Sequence, residues 1–377
     1  MTLPGREGGL GTARVLTLDL AEVLSPSVLA DEVAGDAVML ILDGTDEDWL
    51  RLSRPDWQPY VDCMAALPAL TVGVARGDRA DVSAALEGPL GQCDLRVRVG
   101  GAPPAGWNLV GPPTVVTERV RGWQAAFAEP RAVAAVTAAR LVRQQPASAA
   151  QAVFLESLAY STLQSGSDYG AWLRGRSVPT GADDPSPRIA VARRGDVVDV
   201  RLTRPTRHNA LDARMRDELC EVLGALLVDD RVRIVLTGEG ASFCSGGDLA
   251  EFGRAATPLA GHLVRSTRSL ATLMARWGPR LTVGVQGACV GAGLELAAFA
   301  HRVVASSDAR FWLPEAGFGL IPGSGGTVSV PRRAGAHRLV ELVLTGAECD
   351  AWTARDLGLV DEVVAPSQLA EALASTA

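Results

Sequence analysis

Apolar and polar residues alternate over residues 188–201, on either side of a Gly195–Asp196 pair, as in two strands joined by a tight turn. Asn209 then offers an N-cap. After it Leu211, Met215, Leu219, Leu223 and Leu226 recur at helical spacing, which predicts a helix running to about Val228. Short apolar runs at residues 232–237 and 281–285 predict buried strands. Strand and helix alternate throughout, so the pattern predicts an α/β fold with helices packed on sheet layers.

Residues 175–187 (GRSVPTGADDPSP) break the patterning with Pro, Gly, Ser and Asp, and predict a linker. The region before it holds a strand-like run at residues 37–42 and two echoes of the later region. LTVGV occurs at residues 70–74 and again at 281–285, and AGWNLVGP at 105–112 echoes AGFGLIPG at 316–323. Both echoes share one offset, which predicts an ancient duplication. The first copy has no counterpart of the Gly-rich stretch at residues 242–249 and no glutamate to match Glu295, so its chemistry reads as lost.

A chain of 377 residues is long for one domain and comfortable for two. Its formal charge of -7, with no basic run, opposes nucleic-acid binding. All 36 basic residues are arginine, so no lysine Schiff base, lysine general base or P-loop lysine is available. Six scattered cysteines without CxxC pairs suggest free thiols in a reducing compartment and no metal site. Neither a signal-peptide core before Arg14 nor an apolar run of about 18 residues is present. The expectation is a cytoplasmic protein that contacts no membrane.

Three segments could carry chemistry. In SFCSGGD (residues 242–248) the Gly246–Gly247 pair lets backbone approach a ligand closely, or forms a plain tight turn. In GACVGAGLE (residues 287–295) the glycines open an apparent buried helix that contains Glu295. A carboxylate in such an apolar run is costly unless paired or poised for proton transfer, the alternative being a side chain turned to solvent. Glu315 lies in FWLPEAGFGLIPGSGG (residues 311–326), between a proline and an apolar loop, unless that loop is a surface turn. His208, His262, His301 and His337 fall outside all three segments and read as structural or surface residues. Cys244 and Cys289 read as small packing residues, because no adjacent His or Lys would lower their pKa.

Together with RHNALD (residues 207–212) and GLVDEVV (residues 358–364), these segments closely resemble the crotonase (enoyl-CoA hydratase/isomerase) superfamily over residues 188–366. The resemblance implies a crotonase-like (ββα-spiral) fold, present here in two copies with the first degenerate. It divides the chain into a degenerate domain at 1–130, a helical segment and linker at 131–184, and a catalytic core at 185–377. It further implies an acyl-CoA substrate whose thioester oxygen sits between the backbone N–H groups of Gly247 and Ala292. Glu295 and Glu315 would hold water between them, one activating it while the other exchanges the α-proton. Coenzyme A contacts fall to Arg207, Ser245, Asp248 and Leu249, with no cofactor beyond the coenzyme A of the substrate. Pocket walls are expected from residues 252–270, and a homo-oligomer, trimer or hexamer, is implied.

Some features depart from the family. Ala292 stands where glycine is usual, and Ala250 and Glu251 where a lysine often contacts coenzyme A. The C-terminal helices that complete the family's site are expected to be missing after the core. Residues 151–176 resemble them instead, and helices around 133–176 are expected to cover the core through Phe154, Leu155, Leu158, Tyr160, Leu163, Tyr169 and Trp172. Hydration or dehydration of an enoyl-CoA is the leading expectation, since a double-bond shift can run with one base. Isomerisation, decarboxylation or cofactor-free oxygenation through the same enolate, and a non-catalytic acyl-CoA-binding partner, are the alternatives.

Overall fold

In the computed structural model, residues 13–19, 37–52, 58–77, 89–100, 106–144, 146–177 and 185–375 are described. They fall into two units, Met1–Arg143 and Gln144–Ala377. Of the expected linker, residues 178–184 lie outside the described residues.

In the first unit β1 (Arg14–Asp19), β2 (Val38–Thr45), α1 (Asp46–Leu52), α2 (Gln58–Ala66), β3 (Ala69–Arg76), α3 (Pro89–Gln92), β4 (Leu95–Val99), β5 (Leu109–Gly111), α4 (Pro113–Ala126) and α5 (Arg131–Arg143) follow one another. The five strands form one parallel sheet in chain order. Parallel strands are covered on both faces, which is why β2 and β3 read as continuous apolar runs. Leu40, Leu42, Trp49, Met64 and Leu90 pack there. α5 lies on β3, and Arg143 donates to Asp94 and to the carbonyls of Leu67 and Ala69. Residues 133–143 therefore belong with the first sheet, and the chain divides after Arg143 instead of after 130 or 184.

The second unit begins with α6 (Ala149–Gln164) and α7 (Ser167–Gly175), then β6 (Ile189–Arg194), β7 (Val197–Leu202), α8 (Ala213–Leu226), β8 (Arg233–Gly238), α9 (Pro258–Thr267) and α10 (Leu270–Trp277). It continues with β9 (Leu281–Val285), β10 (Ala288–Val290), α11 (Ala292–Ala297), β11 (Arg302–Ser306), β12 (Arg310–Trp312), α12 (Gly326–Ala334), α13 (Ala336–Thr345), β13 (Cys349–Asp350), α14 (Ala351–Asp356), β14 (Glu362–Val364) and α15 (Leu369–Ala374). The main sheet runs β14-β11-β9-β8-β7-β6, and β10-β12-β13 form a smaller one. Only β6 is antiparallel within the main sheet, as the alternation predicts, and the hairpin turns at Gly195 with φ 63°.

Helix α8 is capped by Asp212, whose carboxylate accepts from Met215 N at 2.7 Å. Asn209 is not the cap. It sits at φ 52°, fully buried, and its amide ties Arg204 N to the carbonyls of Glu239 and Ser242. Both residues are cap formers, and the loop that Asn209 stitches decides between them.

The echoes part company in space. LTVGV falls on β3 and on β9, each the third of five parallel strands in chain order. Of the second echo, Ala105 lies outside the described residues. The rest of its first member supplies edge strand β5, whereas residues 316–323 form a turn and loop outside both sheets of the second unit. Gly- and Pro-rich strings recur wherever a chain turns, and this one marks no shared position.

Helices α6 and α7 pack on the core of their own unit, α6 against α9, α12 and α10. Trp172 stacks on Phe318 at 4.6 Å, and Leu163 and Tyr169 are buried. Phe154 and Leu158, expected inside, remain 49% and 42% exposed.

Candidate active site

The chain from β8 to Asp248 is fixed by its neighbours. Phe243 N and Cys244 N donate to the carbonyls of Gln286 and Ala288, and Val290 N returns a bond to Cys244 O. Leu211 N then donates to Gly246 O at 2.8 Å, and Asp248 N to Leu211 O at 3.0 Å. Gly246 adopts φ 97°, and a Cβ there would lie 3.1 Å from Val290 O. Only glycine permits that approach, which brings the Gly246–Gly247 turn beside the start of α11. Gly247 N and Ala292 N have no acceptor among the described residues. Both residues line one cavity of about 500 Å³.

Glu295 is carried into this cavity by α11 and is only 2% exposed. Its Oε2 accepts from Ser324 N at 2.6 Å and from Gly326 N at 2.8 Å. Glu315 begins the single turn Glu315–Phe318, lines the same cavity and is 8% exposed, with Oε2 bonded to nothing among the described residues. Neither glutamate is turned to solvent. A Cβ on Gly291, which sits at φ 48°, would lie 2.4 Å from Glu315 Oε1, so glycine makes room for this carboxylate.

Burial raises both acids. Glu315 is lifted to about 8, first by desolvation and then by the charge of Glu156. Glu295 rises well above 4.5 through desolvation and the neighbouring Glu315 and Glu156, against the pull of its two amide donors. Two such close carboxylates do not both ionise near neutrality.

Glu156, from α6, is a third buried carboxylate. It accepts from Gly325 N at 2.8 Å, from Thr327 N at 2.9 Å and from Thr327 Oγ1 at 2.6 Å. Burial lifts it to about 7 while these donors and Arg265 hold it down. Sequence reasoning marked its segment for apolar side chains and passed over the glutamate. The signal was present: FLESLAY is an apolar run interrupted by one carboxylate, the pattern that singles out Glu295. Tyr160, one turn on, also lines the cavity, with the Arg265 guanidinium 4.6 Å above its ring.

The expected coenzyme A contacts scatter. Asp248 lines the cavity, yet its carboxylate is committed to Arg204 and Ala250 N. Arg207, Ser245 and Leu249 are not among the lining residues. Arg207 is half-buried with its carbonyl 3.5 Å from Ser245 Oγ, and Leu249 is exposed, its own carbonyl accepting from Arg176. The arginines that do line the cavity are Arg216, Arg254 and Arg265. Phe252 walls it as expected. Burial pushes the Cys244 thiol up to about 11 and that of Cys289 well above its ordinary value, so neither is a poised nucleophile.

Residues 192–377 match the Enoyl-CoA hydratase/isomerase family. The chain is 34% identical over 174 residues to mouse (Mus musculus) enoyl-CoA hydratase domain-containing protein 2, mitochondrial, covering 46% of this chain and 59% of that one. To the 2,3-dehydroadipyl-CoA hydratase of Escherichia coli (strain K12) it is 35% identical over 182 residues, covering 48% and 70%. A crystal structure of a putative enoyl-CoA hydratase/isomerase from Mycobacterium abscessus aligns with TM-score 0.47 and 35% identity over 50% of this chain and 75% of that one. Several of these matches span less than two thirds of the relative, 59% for the mouse protein and 66% for a Bacillus subtilis (strain 168) one.

Proposed function

The chain belongs to the enoyl-CoA hydratase/isomerase family, the crotonase superfamily, and from that premise we propose that it adds water across the double bond of a 2-enoyl-CoA thioester or removes it in reverse. The observation that carries this is the pair of buried glutamates, Glu295 and Glu315, opening into one cavity beside two unused backbone N–H groups.

Glu295 keeps two amide donors on one oxygen, which favours its charged form, while Glu315 has an oxygen without a donor and holds its proton to about 8. On these donors we assign Glu295 as the base and Glu315 as the acid. Glu295 takes a proton from water as the water oxygen bonds to Cβ. The electron pair of the double bond moves onto the thioester oxygen, where Gly247 N and Ala292 N receive the enolate. Such a donor is typically worth about 3–4 kcal/mol. The Glu315 carboxylic acid then delivers its proton to Cα, and proton return from Glu295 through solvent resets the pair. Coenzyme A enters and leaves as part of the substrate. An isomerase needs one group to take and return a proton, and the second buried carboxyl favours hydration over that alternative.

Crotonyl-CoA and longer 2-enoyl-CoA esters, followed by loss of enoyl absorbance, test the proposal. Turnover should be present in the native chain and fall at least about 100-fold in Glu315→Gln. A chain that leaves the whole panel unhydrated would exclude hydration.

A further inference from the structure

Four consecutive amides at the start of α12 are divided between two carboxylates. Ser324 N and Gly326 N donate to Glu295, while Gly325 N and Thr327 N, with the Thr327 hydroxyl, donate to Glu156. Glu156 is 1% exposed and comes from α6, outside residues 192–377 that match the family. Glycine is required along this strip. A Cβ on Gly326 would lie 2.7 Å from Glu295 Cγ, and Gly325 adopts φ 100°.

We infer that Glu156 is a positioning residue that anchors the 324–327 strip from the side opposite Glu295, so that the other two amides stay aimed at the Glu295 carboxylate. Its catalytic consequence rests on the hydratase reading above. A buried N–H without an acceptor costs about 1–3 kcal/mol, so the strip cannot keep its course once Glu156 is gone. Gly325 and Thr327 turn toward new partners, and Ser324 and Gly326 swing off Glu295 with them. The base then loses the donors that favour its charged form. Glu156 never touches substrate in this scheme; it positions Glu295 through the strip, while its charge also raises both acids.

Residue-resolved hydrogen exchange of the full chain tests this without reference to activity. In Glu156→Ala the amides of Ser324 and Gly326, which do not touch Glu156, should exchange at least about tenfold faster. Val283, in the middle of β9, should keep its native rate. Acceleration confined to Gly325 and Thr327 would reduce Glu156 to a local helix cap and overturn the inference. Should Val283 accelerate too, the milder Glu156→Gln is read by the same criterion. With crotonyl-CoA, Glu156→Gln should lower kcat at least about tenfold with KM within about threefold. A rise in KM at constant kcat would make Glu156 a binding residue and equally overturn it. If the native chain hydrates no enoyl-CoA, the hydratase reading falls, and the exchange rates still decide the role of Glu156.

Discussion

Replacing Glu315 by Gln should stabilise the fold while abolishing turnover, and the gain should grow with pH. Glu315 titrates at about 8 in the folded chain against an ordinary 4.5. The native state therefore binds more protons than the unfolded state between those values. A carboxyl raised in this way contributes no penalty below about pH 4.5 and destabilises progressively as pH rises to about 8. At roughly 1.4 kcal/mol per pH unit, the cost is on the order of 1 kcal/mol at pH 5.5, 3 at pH 7 and 5 above pH 8. Glutamine is nearly isosteric and removes the titration, so Glu315→Gln should exceed the native chain by about those amounts. Urea unfolding of the second unit can be followed by pulse-labelling Cys244 and Cys289, both fully buried there, with mass-spectrometric readout. The labelling midpoint should shift upward in the variant, most at high pH. An equal shift at pH 5.5 and 8.5, or a less stable variant at pH 8.5, would refute the reasoning.

Turnover of the native enzyme should decline as pH rises through about 8, where Glu315 loses the proton it must donate, and a profile flat to pH 9.5 would remove Glu315 as the acid. Glu295→Gln should lower kcat at least about 100-fold while binding of a coenzyme A ester, measured calorimetrically, persists. Gly291→Ala forces a side chain onto φ 48° and against Glu315 Oε1, so it should cost about 1–3 kcal/mol and displace the acid, with turnover falling further than stability alone accounts for. A fragment of residues 144–377 should fold and hydrate, whereas residues 185–377, which lack Glu156 and Tyr160, should be insoluble or inactive; an active 185–377 would make α6 dispensable.

The sequence disclosed what depends on short-range pattern. The β6–β7 hairpin, β9 and the burial of Glu295 and Glu315 all follow from local periodicity, or from a charge set in an apolar run. What escaped depends on distant segments meeting. Asn209 and Asp212 are equally good caps until the 239–242 loop claims the first. Arg207 stands in a motif that marks the family, yet the guanidinium groups at the cavity are those of Arg216, Arg254 and Arg265, brought there by α8, the loop after Phe252 and α9. Residues 131–184 read as one helical segment and linker, but the chain divides inside it after Arg143, which is bound to Asp94. No periodicity announces that Glu156 will meet a strip 169 residues further along the chain.

That strip has a consequence for how mutations combine. Glu156 and Glu295 share no hydrogen bond; beyond the repulsion of their charges, what joins them is the backbone strip they both hold. Their losses should nevertheless be sub-additive. Whichever carboxylate goes first frees the strip, and the second removal finds its amides already displaced. In a double-mutant cycle the interaction energy is the signature of such shared hardware, and contacting or networked residues typically show about 0.5–3 kcal/mol. Variation at position 156 would thus be felt as epistasis with position 295, one lying outside the family's matched region and the other at its centre.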